Sequence, residues 1–306
     1  MKQINNIKKS SSPSLLSLEK VKKSTAGTVY LVGFGPGDPE LLTVKGLKLL
    51  KSADIIFYDD LTNKEYLLKF KAENIYVGKR KGNHSHEQEA INQLLYEAAA
   101  AGKKVVRLKG GDPMLFAHGG EEIEFLRSRF IKVEVVPGVT AALAAAAFAN
   151  VPLTHRGISS SVTLSTGHAK SNIHVPESGT MVYYMGASNL HKIAEEVMRK
   201  GWNPETPVLL VYNASAPDQK EYYTTLQEVV DYPESYQTPL IIIIGEVVGL
   251  RTYKNQSKSD KIEAKAQSLL EKRVREIDFL NYKFNPSAPL TPLNLTGFSK
   301  GERSIL

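Results

Sequence analysis

Short apolar runs alternate with amphipathic stretches along this chain, and glycine-rich turns separate them; no other feature constrains its fold as tightly. Residues 28–33 form one such run, leading into Gly35-Pro36-Gly37-Asp38-Pro39. A helix is predicted to follow. Asp38 can cap it, Pro39 suits its first position, and Leu41, Leu42, Leu47 and Leu50 recur at roughly helical spacing. Residues 53–58, 74–77, 104–108 and 132–136 read as four further strands, with a helix over 87–101 that Gly102 ends. Strands alternating with helices predict an α/β fold built on a parallel sheet.

The pattern pauses at Pro152, and a second set begins. Strands are expected over 160–166, 180–184, 207–212, 221–225 and 240–244, with a helix over 189–200 that stops at Gly201. A boundary near residue 150 therefore separates an N-terminal α/β domain (28–150) from a C-terminal one (151–250). The first 27 residues are rich in Ser and Lys with Glu19 as their one acidic residue, which predicts a disordered basic extension. Beyond residue 250 the alternation ends. Residues 257–280 read as a charged amphipathic helix within an appendage over 251–306.

The longest apolar runs, 141–149 and 240–244, fall short of the ~20 residues that a membrane-spanning helix needs, so no membrane partner is expected. The chain has no cysteine, which removes disulfides, thiolate metal sites and cysteine nucleophiles together and fits a cytoplasmic protein. A net charge of +7 favours acidic partners, either nucleic acid or a polycarboxylate small molecule.

Two Gly-Asp-Pro turns carry the chemistry. The first suggests a dinucleotide loop, because Gly33-x-Gly35 follows a strand and Asp59 and Asp60 lie about twenty residues on. Two residues oppose that reading. Asp38 stands where the third glycine belongs, and Pro36 removes an N–H from a loop that would have to cradle a pyrophosphate. The second turn, Gly110-Gly111-Asp112-Pro113, directly follows the fourth strand and so sits at the carboxyl edge of the sheet, where ligands of open α/β sheets bind. Its glycines let a ligand approach the backbone, and Asp112 offers a carboxylate. Pro137-Gly138-Val139-Thr140-Ala141-Ala142 forms a third loop of small residues ahead of an alanine-rich helix, which close packing alone would explain. Asp59 reads either as a turn residue or as an acid facing a ligand. The Lys79-Arg80-Lys81 cluster reads either as a solvated edge or as a contact for a polyanion. His84 and His86 lack the partners of a metal site.

The segments VYLVGFGPGDPELLT, IIFYDDL, YVGKRKGNHSHEQEAIN, VVRLKGGDP, VVPGVTAA and VPLTHR, in this order and spacing, resemble the tetrapyrrole methylase family over about residues 29–250. The more specific ones point to its uroporphyrinogen branch. The resemblance implies two α/β domains of the tetrapyrrole methylase type, with the active site in the cleft between them, and usually a homodimer. It implies S-adenosylmethionine as methyl donor without a metal, and a small-molecule tetrapyrrole as substrate. Uroporphyrinogen III would be methylated at C2 and C7 to precorrin-2, for sirohaem or cobalamin synthesis, and no nucleic acid would be bound. The alternatives are another precorrin methylase, or a family member that methylates rRNA or protein.

The resemblance also assigns residues. Pro36, Gly110, Gly111, Asp112, Leu115, Thr140, Ala141, Met185 and Ala214 would contact the donor, with Asp59 as proton acceptor and Lys79 as proton donor. Met185 by itself would read as core. Ala117-His118 replaces the Gly-Arg common in the family, which affects an arginine contact to substrate carboxylates. Phe34 and Ala214 replace smaller residues and are expected to narrow the donor cleft.

Overall fold

A computed structural model describes residues 26–78, 84–168, 173–177 and 179–250, together with Arg273. The expected basic extension and the expected charged helix after residue 250 lie outside these residues, Arg273 apart. Two compact units divide the chain, Met1–Arg251 and Thr252–Leu306, and everything below concerns the first. Among the described residues no helix is long and apolar enough to cross a membrane.

The first sheet holds β1 (Thr28–Gly35), β2 (Ile55–Tyr58), β3 (Glu73–Tyr76), β4 (Val105–Gly110) and β5 (Lys132–Val136) in the order β3-β2-β4-β1-β5. Every pairing in it is parallel, as the alternation predicts. Helices cover both faces. Val29, Leu31, Phe57 and Val105 pack with Ile91 and Leu95 of α3 (His84–Ala100) and Leu126 of α4 (Gly119–Arg127). Val32, Phe34, Ile56 and Leu108 pack on the opposite face with Leu49 and Leu50 of α1 (Val44–Ser52) and Leu67 of α2 (Lys64–Leu67). Each buried Leu or Phe in these layers contributes about 1.5–3 kcal/mol.

The helix predicted after Asp38 forms in two pieces. Asp38 accepts from the Glu40 N–H at 2.9 Å and caps only a 3₁₀ turn, Pro39–Leu41. Leu42 is extended, and α1 starts after Thr43, whose hydroxyl accepts from the Gly46 N–H at 3.1 Å. Thr43 therefore provides a second N-cap, and the chain re-enters the helix there.

The second sheet holds β6 (Val162–Thr166), β7 (Thr180–Tyr184), β8 (Pro207–Tyr212), β9 (Lys220–Thr225) and β10 (Leu240–Ile244) in the order β6-β7-β10-β8-β9. Here the sheet is mixed: β6 and β7 are parallel, while β7-β10, β10-β8 and β8-β9 are antiparallel. One face packs on α6 (Leu190–Arg199) and α7 (Leu226–Asp231) through Ile193, Val197 and Val229. The other face packs on α5 (Ala141–Phe148), whose Ala142, Ala144, Ala145 and Ala146 meet Val182, Leu209, Val211 and Ile243. The alanines let the helix lie close against the strands. The helix that follows the last strand of the first sheet is thus a layer of the second, and residues 137–140 cross between the two.

Candidate active site

Because the first sheet is parallel, the loops after its strands gather at one edge. The two Gly-Asp-Pro loops are bonded to each other there: the Gly35 N–H donates to the Gly111 carbonyl at 3.2 Å, and the Gly111 N–H to the Gly35 carbonyl at 2.7 Å. The third loop is pressed against them. A Cβ at Gly33 would lie 2.6 Å from the Gly111 oxygen and from Gly138 Cα, and one at Gly138 would lie 2.3 Å from the Gly111 oxygen. Gly111 also has φ +66°, a conformation that suits glycine. The result is a wall of bare backbone.

Asp112 holds this wall together. Its Oδ1 accepts from the Met114 N–H at 2.8 Å and its Oδ2 from the Gly138 N–H at 3.0 Å. The carboxylate expected to be offered to a ligand is engaged by the protein's own backbone, because two loops left with unpaired N–H groups converge on it.

The wall borders a cleft of about 1040 Å³ between the two sheets. All nine residues expected to contact the donor line it: Pro36, Gly110, Gly111, Asp112 and Leu115 from the first sheet's loops, Thr140 and Ala141 from the crossing segment and α5, and Met185 and Ala214 from the second sheet. Asp59 lines it too, while Lys79 lies outside the described residues. Backbone strain concentrates on this cleft. Phe116, His118, Met185 and Asn213 all line it with φ between 49° and 56°, an uncommon conformation for residues with side chains and one that clusters at functional sites.

Contacts between the sheets set the cleft's shape. The Tyr184 hydroxyl lies 2.5 Å from Thr140 Oγ1 and accepts from the Ala142 N–H at 3.2 Å, so a side chain of the second sheet completes the first turn of α5. Burial raises the Tyr184 pKa above the ordinary phenol value, with the Thr140 hydrogen bond opposing. At the other end the Asp38 N–H donates to Ser215 Oγ at 3.2 Å. Phe34 does not narrow the cleft: alternation along β1 turns it into the core beside Val32, fully buried and edge-on to Tyr66. Ala214 does face the cleft. His118 sits at the rim with its Nδ1 2.8 Å from Glu121 Oε1, and His155 and Arg156 are exposed elsewhere.

Sequence reasoning missed a buried charge cluster under the floor. Glu122 of α4 is fully buried, and its Oε1 accepts from Lys109 Nζ at 2.7 Å, Gln88 Nε2 at 3.2 Å and Arg107 Nε at 3.3 Å. The same guanidinium donates from Nη2 to Asp59 Oδ2 at 3.1 Å and from Nη1 to the Leu108 carbonyl at 2.9 Å. Burial pushes the Lys109 amine below the usual lysine value, Glu122 opposes and Arg107 adds to the lowering. The signal was present: Arg107 and Lys109 are two charges spaced i and i+2 in a strand otherwise apolar and buried on both faces.

The sequence that builds this cleft matches a known family. Residues 28–230 match the Tetrapyrrole (Corrin/Porphyrin) Methylases. The chain belongs to this family. Among tetrapyrrole methylases it is 45% identical over 239 residues to the uroporphyrinogen-III C-methyltransferase of Methanocaldococcus jannaschii, covering 73% of this chain and 98% of that protein. It is 44% identical over 251 residues to the siroheme synthase of Psychrobacter arcticus, covering 78% of this chain and 46% of that enzyme. The chain thus spans about half the length of the siroheme synthases it matches. The fold superposes on the crystal structure of uroporphyrin-III C-methyl transferase from Thermus thermophilus complexed with S-adenosylhomocysteine, with a TM-score of 0.65, 39% identity, and coverage of 75% of this chain and 96% of that one.

Proposed function

We propose that this chain transfers methyl groups from S-adenosylmethionine to C2 and C7 of uroporphyrinogen III, giving precorrin-2 for sirohaem or cobalamin synthesis. The observation that carries the reading is the 45% identity to a uroporphyrinogen-III C-methyltransferase over 98% of that protein. The composite cleft supports it. Gly35, Gly37, Gly110 and Gly111 present main chain without side chains to the cleft, and a neighbouring structure of the same fold is complexed with S-adenosylhomocysteine.

In this reading Pro36, Gly110, Gly111, Asp112, Leu115, Thr140, Ala141, Met185 and Ala214 hold the donor. Asp112 acts through the backbone it ties together. S-adenosylmethionine supplies a methyl group on an electrophilic sulfonium, and the electron-rich pyrrole carbon needs no further activation. The protein's work is orientation, exclusion of water and handling of the proton lost from the macrocycle. Asp59 accepts that proton on its carboxylate, and Lys79 donates where protonation is required. We read residues 28–150 and 151–250 as the two domains of a cytoplasmic enzyme. Exposed Leu143 and Phe148 on α5 support a homodimer.

The test is a parallel assay of the purified chain with labelled S-adenosylmethionine and either uroporphyrinogen III or ribosomal RNA. Label is expected in the macrocycle alone. Label in RNA, with none in the macrocycle, overturns the reading.

A further inference from the structure

We propose that Glu122 is a positioning residue for this reaction, setting the orientation and the electrostatic surroundings of the Asp59 carboxylate through Arg107. The proposal rests on the reading of Asp59 as proton acceptor. Glu122 itself does not line the cleft, but its three donors, Gln88, Arg107 and Lys109, all do, and so does Asp59. Three elements meet at its one bonded oxygen, Oε1: α3 brings Gln88, β4 brings Arg107 and Lys109, and α4 brings Glu122. Glu122 Oε2, also buried, has no hydrogen-bond partner.

That asymmetry argues against a purely structural role. Burying two cations and a carboxylate costs desolvation that apolar side chains of similar size would avoid, and an unpartnered buried oxygen adds to the cost. The cluster is arranged instead around a rigid object. A guanidinium is planar, and its donors point in fixed directions. With Nε held by Glu122 and Nη1 by the Leu108 carbonyl, the direction of Nη2 is determined, and Nη2 is the group bonded to Asp59 at 3.1 Å. Glu122 also offsets part of the positive charge that Arg107 and Lys109 bring beside Asp59.

The experiment is a double-mutant cycle on turnover with uroporphyrinogen III as substrate. Glu122→Gln keeps an acceptor near Oε1 and removes the charge. It is expected to lower kcat by about 10- to 100-fold while KM and the Kd for S-adenosylhomocysteine stay within about twofold. In an Asp59→Asn background the same change is expected to cost less than about threefold, because the group it acts through is already gone. A kcat unchanged by Glu122→Gln overturns the proposal. So does a loss that multiplies in full with that of Asp59→Asn, which would mark an effect independent of Asp59 and leave the acceptor reading intact. A wild-type kcat for Asp59→Asn would instead overturn the acceptor reading, and the proposal with it. Should Glu122→Gln fail to fold, the paired change Glu122→Met with Lys109→Met removes anion and cation together. A folded double variant with low kcat and normal Kd supports the proposal, and one with normal kcat overturns it.

Discussion

A methyl group at Gly33 has nowhere to go, because the atoms around it are backbone of two other loops. Gly33→Ala is expected to lower stability by about 1–3 kcal/mol, the usual cost of overpacking, and to weaken S-adenosylhomocysteine binding with it. Denaturant midpoints and calorimetry check this, and an unchanged midpoint would mean that the three loops are not packed as described. The tyrosines of β7 give a pH dependence at the same scale. Tyr183 is pushed well above the ordinary phenol value of 10.0 by burial first and the Glu196 charge second, and its hydroxyl donates to the His174 carbonyl at 2.7 Å. Below pH 10 the hydroxyl is protonated in folded and unfolded chains alike. Above it the unfolded chain loses the proton first, so stability falls as pH rises. Urea midpoints measured across pH values of about 9 to 11.5 should fall less steeply for Tyr183→Phe than for the wild type; parallel curves would remove the assignment.

At the scale of elements, period-two apolar runs made the strands legible. Expected and observed bounds agree at β5, β7, β8 and β10, where alternation or a fully apolar run leaves little freedom. Strand direction in the second sheet was not legible, because whether β10 runs against β7 and β8 depends on connections that no local pattern encodes. The start of α1 was misjudged for a local reason, since Asp38 and Thr43 are both competent caps and only the extended Leu42 separates them. The alanine-rich α5 was legible as a close-packing helix but not as part of the other layer. Ala145 is fully buried against the second sheet, and Ala145→Leu is expected to destabilise by about 1–3 kcal/mol by prising the helix away. A thermal midpoint equal to the wild type would show that the layer has slack.

Taken as a whole molecule, the site belongs to neither sheet alone. The first sheet supplies the backbone wall and the charged floor, the second supplies Met185, Tyr184 and Ala214, and the segment 137–140 joins them. Glycine turns at strand ends advertise themselves in a sequence, so these residues of the cleft lining were readable there. A carboxylate that ties two loops together, as Asp112 does, reads the same as one that faces a ligand. Glu122 looked like any surface residue of a helix, because its partners stand on other elements. If the chain acts as proposed, this cleft methylates one macrocycle twice. The most direct measurement is the mass of the product formed by the purified chain from uroporphyrinogen III and excess S-adenosylmethionine. Two added methyl groups, at C2 and C7, are expected; a product carrying none, or one that stops at a single methyl group, would contradict the proposed function.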